Sequence, residues 1–504
     1  MNSLIAIIIL TCFLGCGTCL LEEVQESFPR VITPLGPIEG YYKTSSSGRR
    51  YEAYEGIPYA QPPTEELRFG VRVQRISPWT GVLMAKQTGL KCLQYNQYPC
   101  DPDLVVEGSE DCLYMNIYTV IRNDTQSTNL QPVIFYIHGG AFQYGSAPEY
   151  GPKYLLDRNV TLVTINYRVG PLGFLSTEDE IVPGNMGLKD QVIALQWVKD
   201  NVESFGGDPS RITIFGHSAG GASVHYHYLT NLTTGLFHGG MSLSGVALNC
   251  WTQTEHSLEK TKKLAMIVGC STDNVQLMVN CLRARPAHQI VEAVGKFMVR
   301  IPWLYNPYSP FGPVVEKGRG EFTFIDRPPI EILASGKSQD VPWITGIVSE
   351  EGLYPAAPDE KLLEELNDNW EAIAPHLLDF NFTIPKVDHP KVARSIKQHY
   401  LGTSPINRST INQTVRMVGD RLFVYDAEKA VRIQARANRS PVRFYYFTYR
   451  GAKCSSEVMS GSTENFGRFF PVSKCFLIDV PSNPTTSSYR TNPSLISIGH
   501  FLKL

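Results

Sequence analysis

The sequence has no marked excess of charge of either sign. Its 504 residues carry 46 Lys and Arg against 48 Asp and Glu, a formal net charge of −2. No basic run is present, so the composition excludes a nucleic-acid binder that relies on bulk positive charge. Hydrophobic residues make up 43% of the chain, which also excludes a disordered protein. The composition is that of a folded chain.

A hydrophobic run long enough to span a membrane is also missing. The apolar run at residues 4–14 is shorter than the roughly 20 residues of a spanning helix, and small residues follow it. This pattern is typical of a secretory signal peptide, although no basic side chain precedes the run. We predict that residues 1–19 are a signal peptide cleaved near Cys19 and that the mature chain is secreted, without a membrane segment. An uncleaved anchor or a buried N-terminal helix is the alternative.

Cysteine patterns that hold metal ions are absent. No cysteine after residue 19 belongs to a Cys-x-x-Cys pair or to a Cys/His cluster with zinc spacing, so we expect no metal site. Cys92 and Cys112 bracket a short loop, and so do Cys270 and Cys281. We predict that each pair forms a disulfide, which stabilises the fold by constraining the unfolded chain.

Asparagine sequons agree with a secreted protein, in which several of them are expected to carry glycans. They begin at Asn123, Asn159, Asn231, Asn381, Asn407, Asn412 and Asn438. Pro441 follows the last sequon and makes Asn438 the least favourable acceptor of the set.

From about residue 130 onward, short apolar runs alternate with helical stretches. The apolar runs predict strands at 132–137, 160–167, 211–215, 241–243, 341–347 and 442–449. Amphipathic spacing predicts helices over 185–205 and 219–229. Strands separated by helices are typical of a parallel sheet, so we predict an α/β fold with a central, mostly parallel sheet flanked by helices. A single large domain fits this pattern best.

The sharpest chemical motif is the run from Gly216 to Gly220, in which Ser218 is central. It follows a predicted strand and opens a predicted helix, the context in which a Gly-x-Ser-x-Gly turn exposes a nucleophilic serine. The alternative is a glycine-rich turn with a helix-capping serine. We interpret Ser218 as a catalytic nucleophile.

A second motif, His138-Gly139-Gly140-Ala141-Phe142, ends the strand predicted at 132–137. Small residues let backbone N–H groups point into a site and stabilise an oxyanion. We expect Gly140 and Ala141, with Ala219 beside the nucleophile, to form this oxyanion hole. His138 is interpreted as a structural hydrogen-bonding residue rather than as a base.

A candidate acid follows the strand predicted at 341–347, in the run Ser349-Glu350-Glu351-Gly352. In α/β-hydrolases an acid at a strand end orients the catalytic histidine, in the chain order Ser, acid, His. The spacing does not distinguish Glu350 from Glu351.

Further motifs support a family resemblance. They are Gly56-Ile57-Pro58-Tyr59-Ala60 with Pro62-Pro63, Glu110-Asp111-Cys112-Leu113, Gly184-Asn185-Met186-Gly187-Leu188 with Asp190-Gln191, Phe205-Gly206-Gly207-Asp208-Pro209, Phe311-Gly312-Pro313 and Glu351-Gly352. With them the chain resembles the type-B carboxylesterases, which are cholinesterase-like α/β-hydrolases, and is most similar to insect secreted carboxylesterases. The resemblance covers residues 30–467.

The resemblance implies an α/β-hydrolase domain over residues 20–467, incomplete at its C-terminal end. It implies Ser218 as nucleophile, Glu351 as the orienting acid, and the two disulfides predicted above. A small hydrophobic ester is the implied substrate. The chemistry uses side chains and water, so no cofactor is implied, and neither nucleic acid nor a membrane is an expected partner.

The expected catalytic histidine is missing from its usual place. In the family it follows within a few residues of the position of Gly467, but here residues 468–472 contain none, and residues 468–504 form a divergent tail that we expect to be poorly ordered. His376, His389 and His399 precede the last predicted strand and are interpreted as structural or surface residues. His500 in the tail is the remaining candidate.

Two functions therefore stay open. One is a serine carboxylesterase whose base is supplied by His500 or by a longer form of the protein. The other is an inactive esterase-like protein that binds or sequesters ligands. Within the esterases a cholinesterase is disfavoured, because no Trp lies between Cys92 and Cys112 to stack on a quaternary ammonium. Juvenile-hormone esterases typically carry Gln before the nucleophile, where this chain has His217.

Overall fold

The computed structural model describes residues 28–70, 74–96, 105–121, 129–297, 299–301, 304–306, 309–317, 320–353 and 360–449. The predicted signal peptide at 1–19, the sequon at Asn123 and the tail at 468–504 with His500 lie outside the described residues.

The described residues form sixteen strands. In chain order they are β1 Arg30–Thr33, β2 Gly36–Glu39, β3 Tyr41–Thr44, β4 Arg50–Pro58, β5 Leu83–Met84, β6 Gln94–Tyr95, β7 Val106–Glu107, β8 Tyr114–Val120, β9 Gln131–Ile137, β10 Thr161–Ile165, β11 Gly207–His217, β12 Gly239–Leu243, β13 Val299–Ile301, β14 Leu304–Asn306, β15 Trp343–Val348 and β16 Val442–Phe447.

Twelve α-helices are described as well. They are α1 Gly170–Phe174, α2 Met186–Asn201, α3 Ala219–Leu229, α4 Ser257–Ile267, α5 Val275–Ala284, α6 Ala287–Glu292, α7 Pro329–Ala334, α8 Glu360–Asp368, α9 Trp370–Leu377, α10 His389–Leu401, α11 Ile411–Gly419 and α12 Tyr425–Ala437. A π-helical turn, Asp420–Val424, joins α11 to α12.

Nine strands form the central sheet, in the order β16-β15-β12-β11-β9-β10-β8-β4-β3. The six strands β16, β15, β12, β11, β9 and β10 run parallel to one another. At the other edge β8, β4 and β3 pair antiparallel. Helices α2, α3 and α12 pack against this sheet. The predicted α/β fold with a mostly parallel central sheet flanked by helices is confirmed.

Burial explains why continuous apolar runs in the sequence predicted the parallel strands. Strand β10 is buried at all of its five residues, and β9 is buried from Val133 to its end. A parallel sheet covered by helices on both faces requires such continuous apolar runs. Helix α3 is itself buried at every residue, because it lies between the sheet and helix α7.

All six predicted strands are present, with shifted ends, and α3 has the predicted bounds 219–229. The helix predicted over 185–205 consists of α2 followed by a 3-10 turn, Val202–Phe205. Strand β11 begins at Gly207, so the prediction that it starts at 211 was wrong. The reason is an irregularity between Gly207 and Ile212, which lets the strand pair with β9 before the regular register begins.

Both predicted disulfides, Cys92–Cys112 and Cys270–Cys281, are present. Among the described residues, no helix has the length and apolar character needed to cross a membrane. The described part of the chain also contains no group of three or more His, Cys, Asp and Glu side chains placed to hold a metal ion.

Candidate active site

The candidate residues follow the carboxyl ends of three parallel strands. His138 follows β9, Ser218 follows β11, and Glu351 comes shortly after β15. The carboxyl ends of parallel strands lie at the same edge of a sheet, where α/β proteins place their ligands. The sheet topology therefore brings together residues that are more than 200 positions apart in the chain.

Ser218 occupies a sharp turn between β11 and α3. Its backbone has φ 55° and ψ −122°, a conformation that non-glycine residues rarely adopt. The surrounding backbone holds it there: the N–H of Ser218 donates to the Leu243 carbonyl oxygen at 2.8 Å, and its own carbonyl accepts from Ala222 at 2.9 Å. Backbone strain of this kind is found where function needs it. The geometry is that of a nucleophile elbow.

Glycine is required around this elbow because backbone atoms pack against it. A β-carbon at Gly216 would lie 2.3 Å from the Gly220 carbonyl group, and one at Gly220 would lie 2.1 Å from the carbonyl oxygen of Ile137. A β-carbon at Gly245 would lie 2.1 Å from the carbonyl oxygen of Ser218. The sequence analysis missed Gly245, although a small residue just after a strand end was a usable signal.

The loop after β9 lies directly against the elbow. A β-carbon on Gly139 would be 2.6 Å from the carbonyl oxygen of His217 and 3.1 Å from Cβ of Ser218. Gly140 and Ala141 have positive φ values of 109° and 53°, which turn the chain back sharply. Among the described residues, no acceptor binds the backbone N–H of Gly140, Ala141 or Ala219. Three donors are thus available beside Ser218.

A neighbouring segment supports this loop. The Ser309 hydroxyl donates to the carbonyl oxygen of Ala141 at 2.7 Å, and the side-chain amide of Gln143 donates to the carbonyl oxygen of Phe311. The motif at 311–313 therefore lies next to the loop that carries Gly140 and Ala141. The sequence analysis did not predict a role for Ser309 or Gln143, because no local pattern marks a contact across about 170 residues.

The two adjacent glutamates differ sharply in environment. Glu351 is 2% exposed, and its Oε1 accepts a hydrogen bond from the Val348 N–H at 2.9 Å. Glu350 is half-buried and hydrogen-bonded to the hydroxyl of Ser349. The structure therefore separates two glutamates that spacing did not distinguish: Glu351 is buried and Glu350 is half-buried.

Burial raises the pKa of Glu351 to about 7, and hydrogen bonds from Ser244 and Val348 oppose this shift. Its Oε2 has no hydrogen-bond partner among the described residues. Ser244 precedes Gly245, which contacts the backbone of Ser218. The acid therefore adjoins the elbow through this Ser-Gly pair, and one of its oxygens is left to accept a hydrogen bond.

The described histidines after Glu351 lie elsewhere. His389 bonds through Nε2 to the Ile384 carbonyl oxygen at 2.8 Å, and His399 is exposed beside Tyr400. His376 lies in α9, and burial lowers its pKa. The interpretation of these three as structural or surface residues agrees with their surroundings. The structure brings together Ser218, Glu351 and the three backbone donors.

The fold, the strained serine and the glycine loop define an α/β-hydrolase. The chain belongs to the carboxylesterase family, whose model matches residues 27–474. The match extends past Gly467, where the sequence resemblance was expected to end.

Individual relatives agree. The chain is 53% identical to "Venom carboxylesterase-6" of Apis mellifera, over 88% of this chain and 79% of that protein. It is 51% identical to a "Carboxylic ester hydrolase" of Bombus ignitus, with the same coverage of both chains. Among solved structures it resembles juvenile hormone esterase from Manduca sexta with OTFP covalently attached. The TM-score is 0.76 and the identity 26%, over 88% of this chain and 82% of that one.

Proposed function

We propose that this member of the carboxylesterase family hydrolyses small hydrophobic esters through an acyl-enzyme on Ser218. The observation that carries the proposal is the contact between the strained Ser218 elbow and a glycine loop. Among the described residues, the N–H groups of Gly140, Ala141 and Ala219 in this region have no acceptor. Preorganised donors of this kind stabilise the negative charge that develops on a carbonyl oxygen under attack.

The reaction proceeds in two halves. The hydroxyl oxygen of Ser218 attacks the ester carbonyl carbon, its proton passes to a base, and the resulting oxyanion lies against the three N–H groups. The alcohol leaves with that proton, and water then releases the acid by the same route in reverse. Glu351 orients the base by accepting an imidazole N–H on Oε2, which has no hydrogen-bond partner among the described residues. The base is a histidine supplied by His500 or by a longer form of the protein.

A second candidate function is an esterase-like protein that binds ligands without turnover. The observation that favours it is the same Glu351 Oε2, which is hydrogen-bonded to no described histidine, together with the absence of histidine from residues 468–472. Loss of the base of a serine hydrolase costs about 10⁶-fold in turnover. The elbow and the oxyanion loop favour the first candidate, because a binding protein has no chemical need of them.

We also propose that the mature protein is a secreted glycoprotein, with residues 20–467 as its hydrolase domain and 468–504 as a tail. The seven sequons, the leader at 1–19 and the two disulfides support this location. A relative with "venom" in its name is consistent with it.

The experiment compares the full chain with Ser218→Ala in fluorophosphonate labelling and in p-nitrophenyl acetate hydrolysis. Loss of labelling and turnover in Ser218→Ala supports the esterase. A separate loss in His500→Ala supports His500 as the base. Saturable ester binding by a folded wild-type chain that neither labels nor turns over would establish the binding protein instead.

A further inference from the structure

His138 is held rigidly at the start of the oxyanion loop. Its side chain is buried and stacks on the ring of Tyr167, with ring centroids 4.3 Å apart and planes 18° from parallel. The Tyr167 hydroxyl donates to the carbonyl oxygen of His138 at 2.9 Å. The same tyrosine thus fixes the backbone and the ring of His138.

The hydrogen bonds of His138 determine its tautomer. Nδ1 lies 2.7 Å from the carbonyl oxygen of Gly139, and because a carbonyl can only accept, Nδ1 carries the proton. Nε2 has no hydrogen-bond partner among the described residues. Burial lowers the pKa of His138 to about 4, so the ring is neutral near pH 7. His138 is therefore a neutral imidazole that donates from Nδ1.

The acceptor of this bond belongs to the peptide group that supplies an oxyanion donor. The Gly139 carbonyl and the Gly140 N–H belong to one planar peptide unit. A hydrogen bond that fixes the carbonyl oxygen therefore also fixes the direction of the N–H. A hydrogen bond at the oxygen also polarises the unit and strengthens the N–H as a donor.

The loop closes tightly over this bond. A β-carbon at Gly145 would lie 2.5 Å from both the Gly139 oxygen and Nδ1 of His138. Gly145 is fixed in turn by Gln94, whose Oε1 accepts its N–H at 2.8 Å. The donor and the acceptor therefore have little freedom to separate.

We propose that His138 is a positioning residue for ester hydrolysis: its Nδ1–H holds the Gly139–Gly140 peptide so that the Gly140 N–H faces the oxyanion. The inference rests on the proposed function, since it requires Ser218 to generate that oxyanion. His138 acts through Gly140 and does not itself transfer the proton.

The activity test uses two variants of the full chain. His138→Phe keeps a ring to stack on Tyr167 but removes the donor, and we expect fluorophosphonate labelling to slow about 10-fold, a part of the loss that removal of a whole oxyanion donor causes. His138→Asn places an amide N–H near the position of Nδ1 and restores most of the rate. Equal rates in wild type and His138→Phe, or equal losses in the Phe and Asn variants, would overturn the proposal.

A second readout does not depend on catalysis. In protein labelled with ¹⁵N-histidine, the NMR signal that disappears in His138→Phe should show a neutral ring protonated at Nδ1. Protonation at Nε2, or on both nitrogens at pH 7, would overturn the inference even in an inactive protein. If the wild-type chain shows the Nδ1–H tautomer but is not labelled by the fluorophosphonate, the proposed hydrolysis is refuted. The positioning role of His138 in that reaction is then refuted as well, although its hydrogen bond to Gly139 stands.

Discussion

Gly245 lies in the loop that follows β12 and packs against the backbone of Ser218: a β-carbon at Gly245 would lie 2.1 Å from the Ser218 carbonyl oxygen. That oxygen also accepts the Ala222 N–H at 2.9 Å, the first hydrogen bond behind the elbow. The strained conformation of Ser218 therefore depends on a residue that no motif identifies.

Gly245→Ala is expected to disturb the elbow, because a contact of 2.1 Å with backbone cannot be relieved by rotation of a side chain. We expect fluorophosphonate labelling of Ser218 to fall at least 10-fold and the melting temperature to decrease. Gly320→Ala is the matched control, since nothing lies within 4 Å of a β-carbon there. Equal labelling of both variants would show that the elbow tolerates a shift of the β12 end.

Two buried histidines in α3 make stability depend on pH. Burial lowers the pKa of His225 to about 4 and that of His227 to about 3, against 6.5 when exposed. As the pH falls below 6.5, these histidines bind protons in the unfolded chain but stay neutral in the folded chain. The stability from these neutral rings is thus complete above pH 6.5 and is lost as the pH falls towards 4, by about 1.4 kcal/mol per pH unit and group.

His227→Gln keeps a donor for the Gln191 side chain, which His227 Nε2 contacts at 2.9 Å, but cannot titrate. When the pH is lowered from 7 to 5, the free energy of unfolding measured with urea should fall by about 2 kcal/mol less in His227→Gln than in wild type. His399→Gln, at an exposed position, should leave the wild-type loss unchanged. An identical loss in all three proteins would contradict the prediction.

Glu351 has the opposite pH dependence. Its folded pKa of about 7 exceeds the unfolded value of 4.5, so the folded chain retains a proton that the unfolded chain releases between these values. Its contribution to stability is complete below pH 4.5 and is lost as the pH rises to 7. Glu351→Gln should therefore gain stability relative to wild type between pH 5 and pH 8 in urea unfolding. Glu350→Gln is the control. If the stability difference between Glu351→Gln and wild type is the same at pH 5 and pH 8, the Glu351 carboxyl group is not held protonated in the folded chain.

The sequon at Asn438 is expected to be unoccupied in the folded, secreted protein. Its side-chain N–H donates to the Gln339 carbonyl oxygen at 2.8 Å, and its oxygen accepts from the Ser338 hydroxyl at 2.9 Å. A glycan on that nitrogen would break the first bond. Asn231 and Asn412 are exposed and serve as positive controls.

Secretion from insect cells, enzymatic deglycosylation in H₂¹⁸O and peptide mass spectrometry would measure occupancy at each site. We expect ¹⁸O-labelled aspartate at Asn231 and Asn412 but not at Asn438. Asn231→Gln should increase gel mobility, whereas Asn438→Gln should not. A labelled Asn438 in folded protein would refute the prediction.

The parallel strands and helix α3 could be predicted from the sequence because their burial is local and continuous. Strands β9 and β10 are apolar over most of their length, as is typical of strands buried on both faces of a parallel sheet. The antiparallel edge could not be predicted in the same way. Strand β4 alternates polar and apolar residues, and it pairs with β8 more than 50 residues further along the chain.

The sequence by itself determined the elbow at Ser218, the glycine loop after β9 and both disulfides, since each depends on residue types at short spacing. Tertiary structure decided which of the two adjacent acids is buried. Glu351 faces the core from the turn after β15, whereas its neighbour Glu350 is half-buried. It also revealed the contacts of Gly245 and Ser309 with the site. Those contacts join segments that are distant in sequence, and only the packing of the sheet edge brings them within hydrogen-bonding distance or van der Waals contact.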